Sequence, residues 1–303
     1  MKNGNPGYDM PMRKCVWTMI SAVTVFVCVC IGVTMNLTTI YDVNFDHMGL
    51  RTFCMFTVNS NILCGLGMMI TVPYTIDGLR KKDFNLPSWV IDLLFCGVTS
   101  VGLTFLVSLC ILAPVKGFVL IFTGSRFFLH GLCPILAITA FCFFMTGHVI
   151  RIREAIISMS PVIVYAMVYY FMVEILGPDN GGWDDFYGFF TKIPAWVSLL
   201  SFIPITFAIA TALRLLHNGS VRREERREAE FYRREFSGKD ARGIIVAIAE
   251  KRRTAKHTYV SVPAGLLETV VRETGSDMTI NEACTLYTDT ILEGSAQEEN
   301  GRK

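Results

Sequence analysis

Six separated runs of about 20 mostly apolar residues, the length a helix needs to cross a bilayer, constrain this chain more than anything else in it. They cover Val16–Met35, Phe53–Thr71, Trp89–Leu112, Phe127–Thr146, Ile156–Ile175 and Pro194–Leu216. Within hydrocarbon a backbone must satisfy its own hydrogen bonds, which single helices do. The expected fold is all-α: a polytopic membrane protein with six transmembrane helices and a polar C-terminal tail. Arg13 and Lys14 precede the first run as in a signal peptide. That run is too long, and no small-residue cleavage site follows, so it reads as the first helix.

The charges sort the same way. The 303 residues include 28 Lys+Arg and 26 Asp+Glu, of which 31 lie within residues 214–303. Residues 1–15 then form an N-terminal segment, 16–216 the transmembrane domain and 217–303 a tail, partly helical. With 52% hydrophobic and 18% charged residues, against about 25% charged in soluble domains, a soluble enzyme, a disordered chain and a disulfide scaffold are excluded. Cys28, Cys30, Cys64, Cys96, Cys133 and Cys142 sit inside the apolar runs, where cysteine packs as a small hydrophobe. No zinc-type spacing of Cys and His occurs, so no metal is expected, nor any cofactor or nucleic acid.

Lys and Arg fix the expected orientation, because they concentrate in cytoplasmic loops. Arg13–Lys14, Arg80–Lys82, Arg151–Arg153 and the Arg-rich start of the tail fall on one side. The other side holds Tyr41–Arg51, Pro114–Ser125 and the acidic Gly177–Lys192 segment. A cell-membrane protein with both termini cytoplasmic is expected. The tail opens with VRREERREAEFYRREF, whose Glu and Arg three and four apart support a solvated helix continuing the sixth span. Thr279-Ile-Asn-Glu282 fits a capping box for a last helix near 280–293. The tail reads as a docking element for a partner the sequence does not name. Asp42–Phe53 fails as a calcium loop, since His47 replaces the turn Gly and Phe53 the final Glu. No phosphate loop, GxSxG or dinucleotide fingerprint occurs.

Polar side chains inside a span are costly and mark function by default. Thr57, Ser60 and Asn61 lie in the first turns of the second span, Arg126 and His130 at the mouth of the fourth, and Glu174 in the last turn of the fifth. All six fall about 5–12 Å below the outer interface, at 1.5 Å per residue. Thr57, Ser60 and Asn61 share one helix face, as do Tyr170 and Glu174. Pro134 frees the carbonyl of His130 and predicts a local kink below the imidazole. A hydroxyl, an imidazole and a carboxylate in one layer are the parts of an activated nucleophile, a general base and its orienter. The other reading of the same residues is interhelical hydrogen bonding alone. The loop GPDNGGWDDFYGFFTK also leaves two readings open. Trp183 and Tyr187 are interfacial aromatics on the membrane surface, or they form with Asp184 and Asp185 a lid over the polar layer.

FTVNSNIL, RFFLHGLCPIL and the Trp–aromatic loop between the fifth and sixth spans give the chain a family likeness. It resembles the six-helix bacterial integral membrane proteins related to the androgen-induced membrane hydrolases of animals, over about residues 15–215. The resemblance implies an intramembrane threonine hydrolase of fatty acid esters, with Thr57 as nucleophile and His130, preceding Pro134, as base. It further implies a lipid acyl ester as substrate; the polar layer itself offers Glu174 or Asn61 to orient the imidazole or steady the oxyanion. Three positions depart from the family pattern. Ser60 stands where an acid is expected, the acid after the fourth-span Pro is not reproduced, and WDDFYGF replaces a Tyr-Pro pair. The alternative class is a non-enzymatic transporter or sensor. A transporter predicts interrupted helices or repeats; only Pro134 and Pro161 stand out as interruptions.

Overall fold

The computed structural model describes residues 6–38, 49–81, 86–145, 148–190, 194–235, 242–246, 264–273, 275, 278–279 and 281–289. It is helical, with no strand among the described residues. Six helices are long and apolar enough to cross a membrane: α1 (Pro6–Thr38), α2 (Phe56–Lys81), α3 (Ser88–Lys116), α4 (Gly124–Phe143), α5 (Ile152–Leu176) and α6 (Ala195–Glu235). A 3-10 turn, Gly49–Cys54, leads into α2. Several helices outrun their apolar stretches: α1 begins ten residues before Val16, and α6 runs on to Glu235 as the Glu/Arg spacing predicted. Hydropathy locates what lipid covers, whereas backbone hydrogen bonding continues as long as propensity permits.

Three of these helices are locally widened. Ser108–Leu112 in α3, Phe127–Leu132 in α4 and Phe171–Leu176 in α5 are π-helical. Each turn ends on a Leu placed two residues before a proline, at Pro114, Pro134 and Pro178. Proline has no N–H for the preceding turn, and its ring crowds the carbonyl four residues back. At Pro114 and Pro134, widening the preceding turn relieves that crowding without ending the helix, whereas α5 ends at Leu176, before Pro178. The turn of His130, where a kink is expected, is one of these widened turns.

Residues 14–76 and 85–218 form one compact unit, the helical bundle. Its centre is α3, 61% of whose most apolar stretch is buried against 44% or less in the other spans. Glycines allow the closest crossings. A Cβ on Gly97 would lie 2.8 Å from the Cα of Cys64, so α2 and α3 touch backbone to backbone. A Cβ on Gly32 would meet the Leu129 side chain at 2.8 Å, where α1 crosses α4. Gly97→Ala must push two backbones apart and is expected to destabilise the bundle by about 1–3 kcal/mol. Denaturant unfolding in detergent checks this; an unchanged midpoint would mean that the crossing has slack.

At one end of the bundle, polar side chains of α6 hold the connection between α4 and α5. Asn218 brackets Ile150, accepting from its N–H at 2.9 Å and donating to its carbonyl at 2.9 Å. Arg214 donates to the same carbonyl at 3.0 Å. The ring nitrogens of the fully buried His217 face the carbonyls of Phe141 and His148. Thr18 of α1 donates to Phe144 O at 3.2 Å, closing the end of α4. The other end, the lid end, carries the loop between α5 and α6.

Residues 1–13, 77–84 and 219–303 form a second unit. Helices 242–246, Ala264–Glu273 and 281–289 gather Ile244, Ile245, Leu267, Val270, Met278, Ala283 and Tyr287 into a small core. The predicted capping box is present: Thr279 N–H donates to Glu282 Oε2 at 2.8 Å, and Glu282 N–H donates to Thr279 Oγ1 at 3.3 Å. Residues 280 and 290–293 of the predicted helix lie outside the described residues. The Thr279 donors hold the Glu282 carboxyl below its ordinary range. A depressed folded value contributes stability above the unfolded value, and that contribution is lost as pH falls through the folded one. Exchange of the Thr279 amide, corrected for its intrinsic pH dependence, should therefore accelerate on acidification below pH about 4. Glu282→Gln should abolish that step; its persistence in the variant would assign the cap to another group.

Candidate functional site

The start of α2 is built around a tyrosine from a distant loop. Phe56 N–H, an orphan donor of the first helical turn, donates to Tyr187 Oη at 2.9 Å. The phenol also meets the Thr57 side chain and Tyr165. Burial holds this phenol above its ordinary range, so it stays protonated and donates as well as accepts. Tyr165 in turn donates to Cys54 O at 2.7 Å. The turn carrying Thr57 is thereby pinned from the loop and from α5 together.

One turn further in, polar side chains stitch α2 to its neighbours. Ser60 Oγ donates to Thr57 O at 3.1 Å and shares a 3.2 Å bond with Thr104 of α3. Asn61, fully buried, donates from Nδ2 to Thr57 O at 2.7 Å and to Leu129 O of α4 at 2.9 Å. Both acceptors are carbonyls, which fixes the nitrogen on that side of the amide. The Asn61 donors are thus committed to backbone, and its Oδ1 is buried with no hydrogen-bond partner. An oxygen cannot steady an oxyanion, so Asn61 acts as a bracket between the Thr57 turn and the turn carrying His130.

His130 lies in the widened turn of α4, and its Nδ1 forms a 2.9 Å bond with Ser108 Oγ from the widened turn of α3. Thr57 and His130 are not hydrogen-bonded to each other; they occupy adjoining turns joined through Asn61. Arg126 donates to Leu120 O at 3.0 Å, closing the short segment before α4. Glu174 is exposed, on the widened turn of α5. It orients no imidazole here.

The loop after α5 folds against α5 and the start of α2. Tyr169 of α5, 2% exposed, is its hub: its ring lies 5.1–6.2 Å from those of Trp183, Phe186, Tyr187, Phe189 and Phe190. Asp185 accepts from Tyr169 Oη at 2.8 Å, from Phe189 N–H at 3.1 Å and from Phe190 N–H at 2.9 Å. Gly177, Gly182 and Trp183 donate their amides to Met172 and Gly177 carbonyls, which satisfies these three within the loop and the end of α5. Any Cβ on Gly182 would collide with the Met172 and Gly177 carbonyl oxygens. Asp184 is exposed and plays no part in this clamp.

Ser108, Tyr165 and Tyr169 escape a reading that weighs only strongly polar groups. Applied to Pro114, the proline argument that located the His130 turn points to the carbonyl of Cys110, two residues into the widened turn that Ser108 opens, and not to Ser108 itself. Among the described residues no three His, Cys, Asp or Glu side chains come together to hold a metal. The chain matches no family model, no curated protein and no solved structure.

Proposed function

We propose that this chain is an intramembrane hydrolase of lipid acyl esters, with Thr57 as the attacking hydroxyl and His130 as general base. The observation that carries the reading is the Asn61 bracket, whose 2.7 and 2.9 Å bonds tie the Thr57 turn to the carbonyl preceding His130. In this reading both termini are cytoplasmic, and the lid end faces the outer leaflet of the cell membrane. An ester enters between α2 and α4, and His130 takes the Thr57 proton as Oγ1 attacks the carbonyl carbon. Collapse of the tetrahedral intermediate expels the alcohol, which takes that proton back from His130. Water, deprotonated by His130, then attacks the acyl-threonine; collapse releases the fatty acid and expels Thr57 Oγ1, which takes the proton back from His130. The likeness to the androgen-induced hydrolases belongs to the same proposal.

Purified protein in lipid nanodiscs, given a long-chain p-nitrophenyl ester, provides the test. Turnover by the wild type and none by Thr57→Ala supports the reading. Equal rates in both overturn Thr57 as the nucleophile, and no turnover in either leaves the polar layer as interhelical bonding in a non-enzymatic membrane protein.

A further inference from the structure

We propose that Ser108 is the third member of the site: a positioning residue that holds the His130 imidazole through Nδ1 and leaves Nε2 as the nitrogen that exchanges protons. This rests on the hydrolase reading above and supplies the orienter that reading lacks, since Glu174 is exposed and the Asn61 donors are spent on backbone carbonyls.

Three observations carry it. The Ser108 Oγ–His130 Nδ1 distance is 2.9 Å, and Ser108 is 1% exposed. A hydroxyl so enclosed is badly placed to meet a lipid ester itself, whereas Thr57 is only half-buried. Second, Ser100, Thr104 and Ser108 recur every four residues along one face of α3, the most buried span. Thr104 donates to Ser100 O at 3.3 Å and bonds Ser60 of α2, while Ser108 bonds His130 of α4. One face of the central helix therefore reaches both the Thr57 turn and the imidazole. Third, both partners sit in widened turns that precede Leu-X-Pro. Such turns reset side-chain direction locally and recur at functional sites.

A hydroxyl suits the task because it accepts as readily as it donates. With Nδ1–H donating to Ser108 Oγ, the neutral ring carries its lone pair on Nε2. When Nε2 takes the Thr57 proton, Nδ1–H still has its acceptor, so the ring need not turn between steps. The second ring nitrogen of a catalytic histidine is normally held in this way.

Ser108→Ala, which removes one oxygen, is compared with wild type in nanodiscs by p-nitrophenyl ester hydrolysis and by ring ¹⁵N NMR of histidine-labelled protein. The His130 signals are assigned by their loss in His130→Gln. The expected result is a kcat reduced about 10–100-fold with KM unchanged, together with conversion of a fixed Nδ1–H tautomer into a mixture. An unchanged kcat, an unchanged tautomer, or an Nε2–H tautomer in the wild type overturns the proposal. Acylation of Ser108 itself overturns it too, making that serine the nucleophile. If the wild type hydrolyses nothing while Ser108→Ala still frees the tautomer, the hydrolase reading has failed and the pair is a structural bond only.

Discussion

His130→Ala is expected to lower ester hydrolysis by about 10³-fold while leaving the bundle folded. General-base catalysis contributes roughly 10²–10⁴-fold, and here no other basic group is positioned to replace the imidazole: Glu174 is exposed and Arg126 is a cation. Stability should suffer much less. His130 is only half-buried by residue, and its loss removes one interhelical hydrogen bond, worth about 0.6–2 kcal/mol within a membrane. Thr57→Ala should fall as far, and Thr57→Ala/His130→Ala no further than either single change, because groups acting on one proton transfer are not additive. Additive losses would show that the two residues contribute independently. A melting curve for each variant separates lost chemistry from lost fold.

Asp185→Ala is the structural counterpart. It removes the acceptor of Tyr169 Oη and of two backbone amides at once. Hydrogen bonds to a charged acceptor contribute about 1.5–3 kcal/mol each, and their buried donors would be left unpaired. The lid should therefore open locally at a cost reduced by at least about 3 kcal/mol, read as a rise of ~100-fold or more in exchange at the Phe189 and Phe190 amides. Asp185→Asn keeps one acceptor oxygen and should lose less. Asp184→Ala, at an exposed neighbour, serves as the control and should change little. If exchange in Asp185→Ala matched the wild type, the ring contacts around Tyr169 would suffice to hold the lid. Because Tyr187 caps α2 beside Thr57, opening the lid should also slow hydrolysis.

The six spans were legible in the sequence because hydropathy averages over about 20 residues and tolerates errors in any of them. The Thr279–Glu282 capping box was legible for the opposite reason: its geometry is set by four consecutive residues. What sits between those scales was harder to read. Depth along a helix follows from counting residues, which grouped Thr57, Asn61 and His130 in one layer. Azimuth assumes 3.6 residues per turn, and a widened turn rotates everything beyond it by about 100°. Glu174 lies inside such a turn and faces outward. On the same helix, Tyr170 drew attention through its spacing to Glu174, yet the hub is Tyr169, which shares a face with Tyr165. Ser108 was hidden for another reason: a single small hydroxyl in an apolar run carries no signal until its partner is known. The lid posed a question of topology. Its aromatics suit a membrane surface and a buried clamp equally, and residue types alone do not foretell the Asp185 bonds, formed within the loop and to α5.

The most direct test of the site is a long-chain fluorophosphonate that phosphonylates activated hydroxyls with loss of fluoride, followed by peptide mapping of the labelled protein. The account predicts a single adduct on Thr57, formed by the wild type and absent from His130→Ala. An adduct that forms equally without His130, or no adduct on any lid-end hydroxyl, would contradict it.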